Sequence, residues 1–159
     1  MQQFTDSKNR SWMIAMTIAS VRRVKAMCDI DLLNIEEPGS DGTPLMTRLF
    51  IDECLLADVL WALIVDQAAT AGVDQEAFYG ALGGEALTSA QKAFTEALVD
   101  FFQQRRRTDR AAAMTKHQMI LDEQIERIKT KVEAVTLDGL LAGAPSLNLP
   151  GSSESIPTP

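Results

Sequence analysis

One histidine, two cysteines and a few clustered carboxylates and arginines are the side chains that could do chemistry in this chain of 159 residues. His117 stands between Lys116 and Gln118 with no second histidine and no nearby cysteine, whereas a zinc site gathers several such ligands. A serine or cysteine nucleophile would need that same imidazole as its base, and no strained turn or glycine-rich oxyanion segment adjoins it. It reads as a solvent-facing side chain. Cys28 and Cys54 lie in apolar helical contexts. The opening MQQFTDSKNR has no apolar secretory core, so they read as two reduced core thiols.

The carboxylate pairs Asp29 and Asp31, Glu36 and Glu37, and Asp52 and Glu53 suit helix caps and solvated loops. The loop PGSDG lacks the alternating oxygen ligands and closing glutamate of a calcium loop. The glycines of GALGGE follow no strand and lead into no Lys-Ser or Lys-Thr pair, so they mark a helix break rather than a phosphate cradle. Arg105, Arg106, Arg107 and Arg110 form a dense basic patch with two readings. Forked guanidinium contacts suit phosphate or an acidic partner. A solvated junction is the other reading, since positive charge suits the C-terminus of the preceding helix. The net charge of −7 opposes phosphate backbones and anionic lipid. The expectation is a chain without catalytic site, metal or cofactor, for which nucleic acid and membrane are poor partners.

The elements that must carry these residues follow from hydrophobic period. Hydrophobic residues make up 46% and charged residues 23%, as in an ordinary globular protein. Residues 2–17 predict a small hairpin around the polar turn 6–10, with Trp12, Ile14 and Met16 on one face. Ile18, Val21, Val24 and Cys28 then make a helical stripe ending near Asp29. The run NIEEPGSDGTP is a loop. A helix from about Pro44 to Ala71 follows, capped by Thr43 and with a break allowed near Asp52. Its apolar run from Leu55 to Val65 is interrupted by Asp58 and falls short of the ~18–20 residues that span a bilayer, so it reads as a buried core helix. Gly72 closes it and Asp74 caps the next, with Val73 placed to staple onto Phe78.

After Gly83-Gly84, Leu87, Ala90, Phe94, Leu98 and Phe101 give a helix to about Phe102. The last helix, about Thr108 to Val135, is different. Met114, Gln118, Leu121, Ile125, Ile128, Val132 and Val135 alternate steps of four and three, a narrow seam of coiled-coil type. That seam is either one side of an intramolecular bundle or the face for a partner helix or a second copy. Beyond Leu137 the prolines and serines predict a disordered tail. The expected fold is therefore mainly α: residues 1–107 a hairpin plus helical core, 108–137 a long amphipathic helix, 138–159 the tail.

The stretches FTDSKNRSWMIAMTIASVRRVKAMCDIDLLNI, VDQEAFYGALGGEALTSAQKAF and ALVDFFQQRRR resemble small tail assembly chaperones of tailed phages and prophages. The likeness covers roughly residues 4–107 and is carried by Asn9-Arg10-Ser11-Trp12, the helix of Val21 to Lys25 leading into Asp31-Leu32-Leu33, Phe78-Gly80-Leu82-Gly83-Gly84, and Asp100-Phe101-Phe102. It implies a non-catalytic protein of the host cytoplasm that holds the tape measure protein soluble until tail tube subunits assemble around it. Trp12, Phe94, Phe101, Phe102 and the seam residues Leu121, Ile125, Ile128 and Val132 are then candidate contacts, with core packing the competing reading for each aromatic. The alternative is a structural or adaptor protein of the virion that self-associates through the seam.

Overall fold

A computed structural model describes residues 1–105 and 107–142. It is mainly helical. A two-stranded antiparallel hairpin, β1 (Gln2–Thr5) and β2 (Ser11–Ile14), precedes α1 (Ile18–Cys28), a single 3-10 turn (Leu32–Asn34), α2 (Leu45–Ile51), α3 (Glu53–Ala71), α4 (Gln75–Tyr79), α5 (Glu85–Gln104) and α6 (Thr108–Ala142). The chain divides into two compact units, Met1–His117 and a second that begins at Gln118.

The hairpin register pairs Phe4 with Trp12 and Gln2 with Ile14. Alternation then sends Phe4, Trp12 and Ile14 inward, all buried, while Met13 faces out. The turn is organised by Asp6, whose side chain has no accessible surface. Its Oδ1 accepts the backbone N–H groups of Lys8 (2.9 Å) and Arg10 (3.0 Å). Its Oδ2 accepts Arg10 Nε (2.7 Å) and Trp12 Nε1 (2.9 Å). Asn9 takes the left-handed conformation that closes this turn, one that asparagine tolerates. The turn is tied to the α4 region through Arg10 Nη2 donating to the carbonyl of Ala77 and Ser7 N donating to that of Ala81.

The outer edge of β2 is closed by a side chain. Gln67 of α3 accepts from Met13 N at 2.9 Å and donates to Met13 O at 2.7 Å, copying the pattern of a further strand. On the β1 side the neighbour is α5, where Gln2 donates to Asp100 at 3.1 Å.

Helix α3 is the centre of the first unit, touching α1, α2, α4, α5 and β2. Leu56, Val59, Leu60, Trp61, Ala62, Leu63 and Ile64 are all buried, so it is covered around most of its circumference. At 19 residues it is also long and apolar enough to cross a membrane by length and composition, a standard that a core helix of this kind meets as well. Asp52 both ends α2, donating its N–H to Arg48 O, and caps α3, accepting from Leu55 N at 3.0 Å. The expected helix over 44–71 is thus two helices.

Thr43 does not cap α2. Pro44 occupies the cap position without a side-chain bond, and the first free donors, Leu45 N and Met46 N, go to the carbonyls of Glu37 and Ile35 in the preceding loop. Thr17 and Ser20 form a reciprocal capping box at the start of α1, and Asp29 ends that helix in the left-handed conformation. Asp74 caps α4, and Gly84 with φ +56° precedes α5.

Helix α6 begins at Thr108 as its pattern predicts but continues to Ala142, past the expected end near Val135. The first compact unit ends at His117 rather than 107, because Ala111 and Met114 of α6 belong to its core. Residues 138–142 are helical where a disordered tail is expected; 143–159, the remainder of that stretch, lie outside the described residues.

Replacing Asp6 with asparagine is expected to cost about 2–4 kcal/mol of stability in denaturant titration, because buried donors lose a charged acceptor. Burial pushes the Asp6 carboxyl up, but the hydrogen bonds from Trp12, Arg10 and Lys8 together hold it below the usual carboxylate value. A folded value below the unfolded one means that this stabilisation is full above about pH 4 and is lost as pH falls through the folded value. The acid limb of the stability profile should therefore be shallower in Asp6→Asn than in the native chain.

Candidate protein-binding surface

The residues singled out for contact separate into two groups. Trp12, Phe94, Phe101 and Phe102 are core side chains: Trp12 is 2% and Phe102 1% exposed. Trp12 meets Phe78 edge-on with ring centroids 5.7 Å apart, and Phe101 meets Phe102 at 5.7 Å. They do not stand open as contacts for a partner, because their faces are already filled by the first unit's own packing. The bare period of α5 could not separate these roles, since a stripe of phenylalanines fits a core and a groove equally well.

The seam of α6 behaves otherwise. Leu121 is half-buried, while Ile125 is 49%, Ile128 60% and Val132 59% exposed, and Val135 is exposed as well. The only buried member of the heptad ladder is Met114, which lies in the core of the first unit. Polar neighbours flank the seam within the helix. Arg127 pairs with Glu123 at 2.6 Å and Lys129 with Glu126 at 3.2 Å, spacings that support an exposed helix by a few tenths of a kcal/mol, about 0.3–0.5 each. Met119 and Ile120 are exposed apolar residues that the seam pattern misses, because they fall off the four-three ladder.

The arginine cluster is partly structural. Arg105 lies over the ring of Phe101 at 5.0 Å and Arg110 over that of Phe102 at 5.9 Å. Arg107 approaches Asp109 at 3.9 Å and otherwise stands in solvent. Arg106 lies outside the described residues. The cations thus sit on rings that close the core, which is an alternative use of the same charges to a phosphate contact.

Other polar groups group less as the sequence suggests. His117 is half-buried, not solvent-facing; its ring lies 5.7 Å from Phe50, and Nε2 is buried without a hydrogen-bond partner. Cys54 is exposed and Cys28 half-buried, so neither is a full core thiol: Cys54 falls in the first turn of α3, ahead of the buried stretch that begins at Leu56. The Cys28 Sγ lies 3.5 Å from the carbonyl of Asp58. Burial first, and the Asp58 charge second, push that thiol up, which keeps it protonated and weakly nucleophilic.

Tyr79 donates to Asp58 Oδ1 at 2.5 Å and accepts from Gln75 Nε2 at 2.6 Å, a surface clasp between α3 and α4 that no sequence spacing announces. Two shallow hollows, of about 230 and 210 Å³, open beside Ile14, Met16 and Phe101 and beside Phe50, Leu82 and Leu87. Among the described residues no three histidine, cysteine or acidic side chains gather as metal ligands would. No family model, curated protein or solved structure matches this chain.

Two measurements check these placements. Phe102→Ala should lower stability by about 3–5 kcal/mol, whereas Ile128→Asp should leave unfolding of the first unit, followed by fluorescence of Trp12 and Trp61, within about 0.5 kcal/mol of the native chain. The reverse ranking would exchange core and surface. Burial and the Asp58 carboxylate raise Tyr79 to about 12. It is the chain's single tyrosine. Ultraviolet titration of the folded protein should therefore show one phenolate step near that value, moving down toward the ordinary one in Asp58→Asn.

Proposed function

We propose that this chain is a non-catalytic phage tail assembly chaperone that binds the tape measure protein and keeps it soluble in the host cytoplasm during tail assembly. The observation that carries the reading is the apolar seam of α6, left exposed in a chain that buries most of its aromatic residues. A tape measure presents long amphipathic helices that aggregate when bare, and a helix with an apolar seam covers such a face by knobs-into-holes packing. The resemblance over residues 4–107 supports the same role, with the first unit as a folded base and α6 as the binding arm. Among the described residues the polar clusters bring together no paired nucleophile and base, which favours binding over catalysis.

A second reading, a structural or adaptor protein of the virion, is favoured by one feature. The a and d positions from Leu121 to Val135 are apolar throughout, the β-branched Ile125, Ile128, Val132 and Val135 with Leu121, as in helices that pair with their own kind.

Co-expression with a phage tape measure protein is expected to raise the soluble fraction of that protein and to co-purify the two. The double variant Ile125→Asp with Ile128→Asp should abolish both effects while this chain itself stays soluble. An unchanged soluble fraction with no co-purification would defeat the chaperone reading.

A further inference from the structure

With Ile125 at an a position, the heptad places Gln118, Ile125 and Val132 at a and Leu121, Ile128 and Val135 at d. The flanking e positions then include Asp122 and Lys129, and the g positions His117, Gln124 and Lys131. These flanks decide between the two ways in which a second identical helix can lie on the seam.

If the two copies run parallel, each g residue faces the following e residue of the other copy. Asp122 then meets His117, Lys129 meets Gln124, and Lys131 meets no carboxylate, so no pair of full opposite charges forms. His117 is in addition half-buried against Phe50 within its own first unit. If the copies run antiparallel, Ile125 packs on Ile128, Leu121 on Val132 and Gln118 on Val135, each layer occurring twice by the twofold symmetry. One flank then sets Asp122 opposite Lys129 of the other copy, twice. The other flank sets Gln124 opposite Lys131, without repulsion. Lys129 also holds Glu126 within its own helix, an exposed pair too weak to keep it from a facing carboxylate.

We propose that the α6 seam is an interface for the α6 seam of a second copy of this chain, the two helices antiparallel and registered by the paired Asp122–Lys129 contacts. The inference rests on the exposed seam and its flanking charges alone, so it stands or falls independently of the tail-protein reading. A seam so covered is protected from aggregation while no other partner is present, and any partner helix must displace the second copy to reach it.

Sedimentation of the full chain over a range of concentrations tests the proposal. The native chain should reach a dimer, and Ile125→Asp should stay a monomer. Asp122→Lys and Lys129→Asp should each weaken the dimer by about tenfold, since each turns two attractions into two repulsions. The double variant carrying both exchanges should recover native affinity, and mixing the two single variants should produce mixed dimers. Circular dichroism checks helix content, and the double variant carries both local perturbations, so its recovery separates facing charges from helix loss. A native chain monomeric throughout, a stoichiometry above two, a dimer indifferent to Ile125→Asp, or charge exchanges without effect or without recovery would each overturn it.

Discussion

A carboxylate with no accessible surface must either give up its charge or be surrounded by donors. Asp6 is surrounded: two backbone N–H groups, a guanidinium and an indole N–H all converge on it. Because Trp12 supplies one of those donors, the same interaction that shapes the hairpin turn also fixes one of the two indole rings in the core. Trp12 in turn abuts Phe78, and Phe78 lies 5.7 Å from Trp61 of α3. A polar turn, a strand, α4 and the central helix are thus held by one chain of contacts. Its first link is directional, while the rest are packing.

That constraint explains how so small a sheet is tolerated. Two strands alone are marginal in water and leave edges open. Here the buried face is completed by α3 and α5. The free edge of β2 is satisfied by the Gln67 amide, which offers one acceptor and one donor at the spacing of a peptide. The hairpin therefore acts as a plug between helices, and α3 can be apolar on nearly every side because the hairpin and four helices cover it.

Much of this was readable from local signals. The Asp29 end of α1, the Gly72 and Asp74 junction and the Gly83-Gly84 break each depend on side chains acting within a few residues, and such interactions are written directly in sequence. The misplaced features depend on distance. Thr43 lost its cap role because loop carbonyls reached the α2 donors first. Cys54 and His117 depart from the burial that their sequence context suggests because periodicity names a face and not what stands opposite it. The Asp6 carboxylate hid inside a turn that looked merely polar, and the Tyr79–Asp58 clasp joins residues 21 apart. Among the candidate contacts, neither aromatic content nor the heptad spacing, which runs unchanged from buried Met114 to exposed Val135, separates surface from core.

The seam poses an energetic question of its own. Fully burying a large aliphatic side chain contributes about 1.5–3 kcal/mol, and because Leu121, Ile125, Ile128 and Val132 are already about half covered, covering them adds less than that each, against which the cost of association is set. The first unit has already filled its core with Ala111 and Met114 from the same helix, so the ladder changes environment along a continuous α6 without changing its period. A helix of this length in water leans on its intrahelical ion pairs and on whatever covers its apolar stripe, because propensity alone sustains such segments weakly. Exposed seam and helical order are therefore linked quantities: covering the first strengthens the second. A binding event on this surface accordingly does two things at once, hiding apolar area and consolidating the helix that presents it.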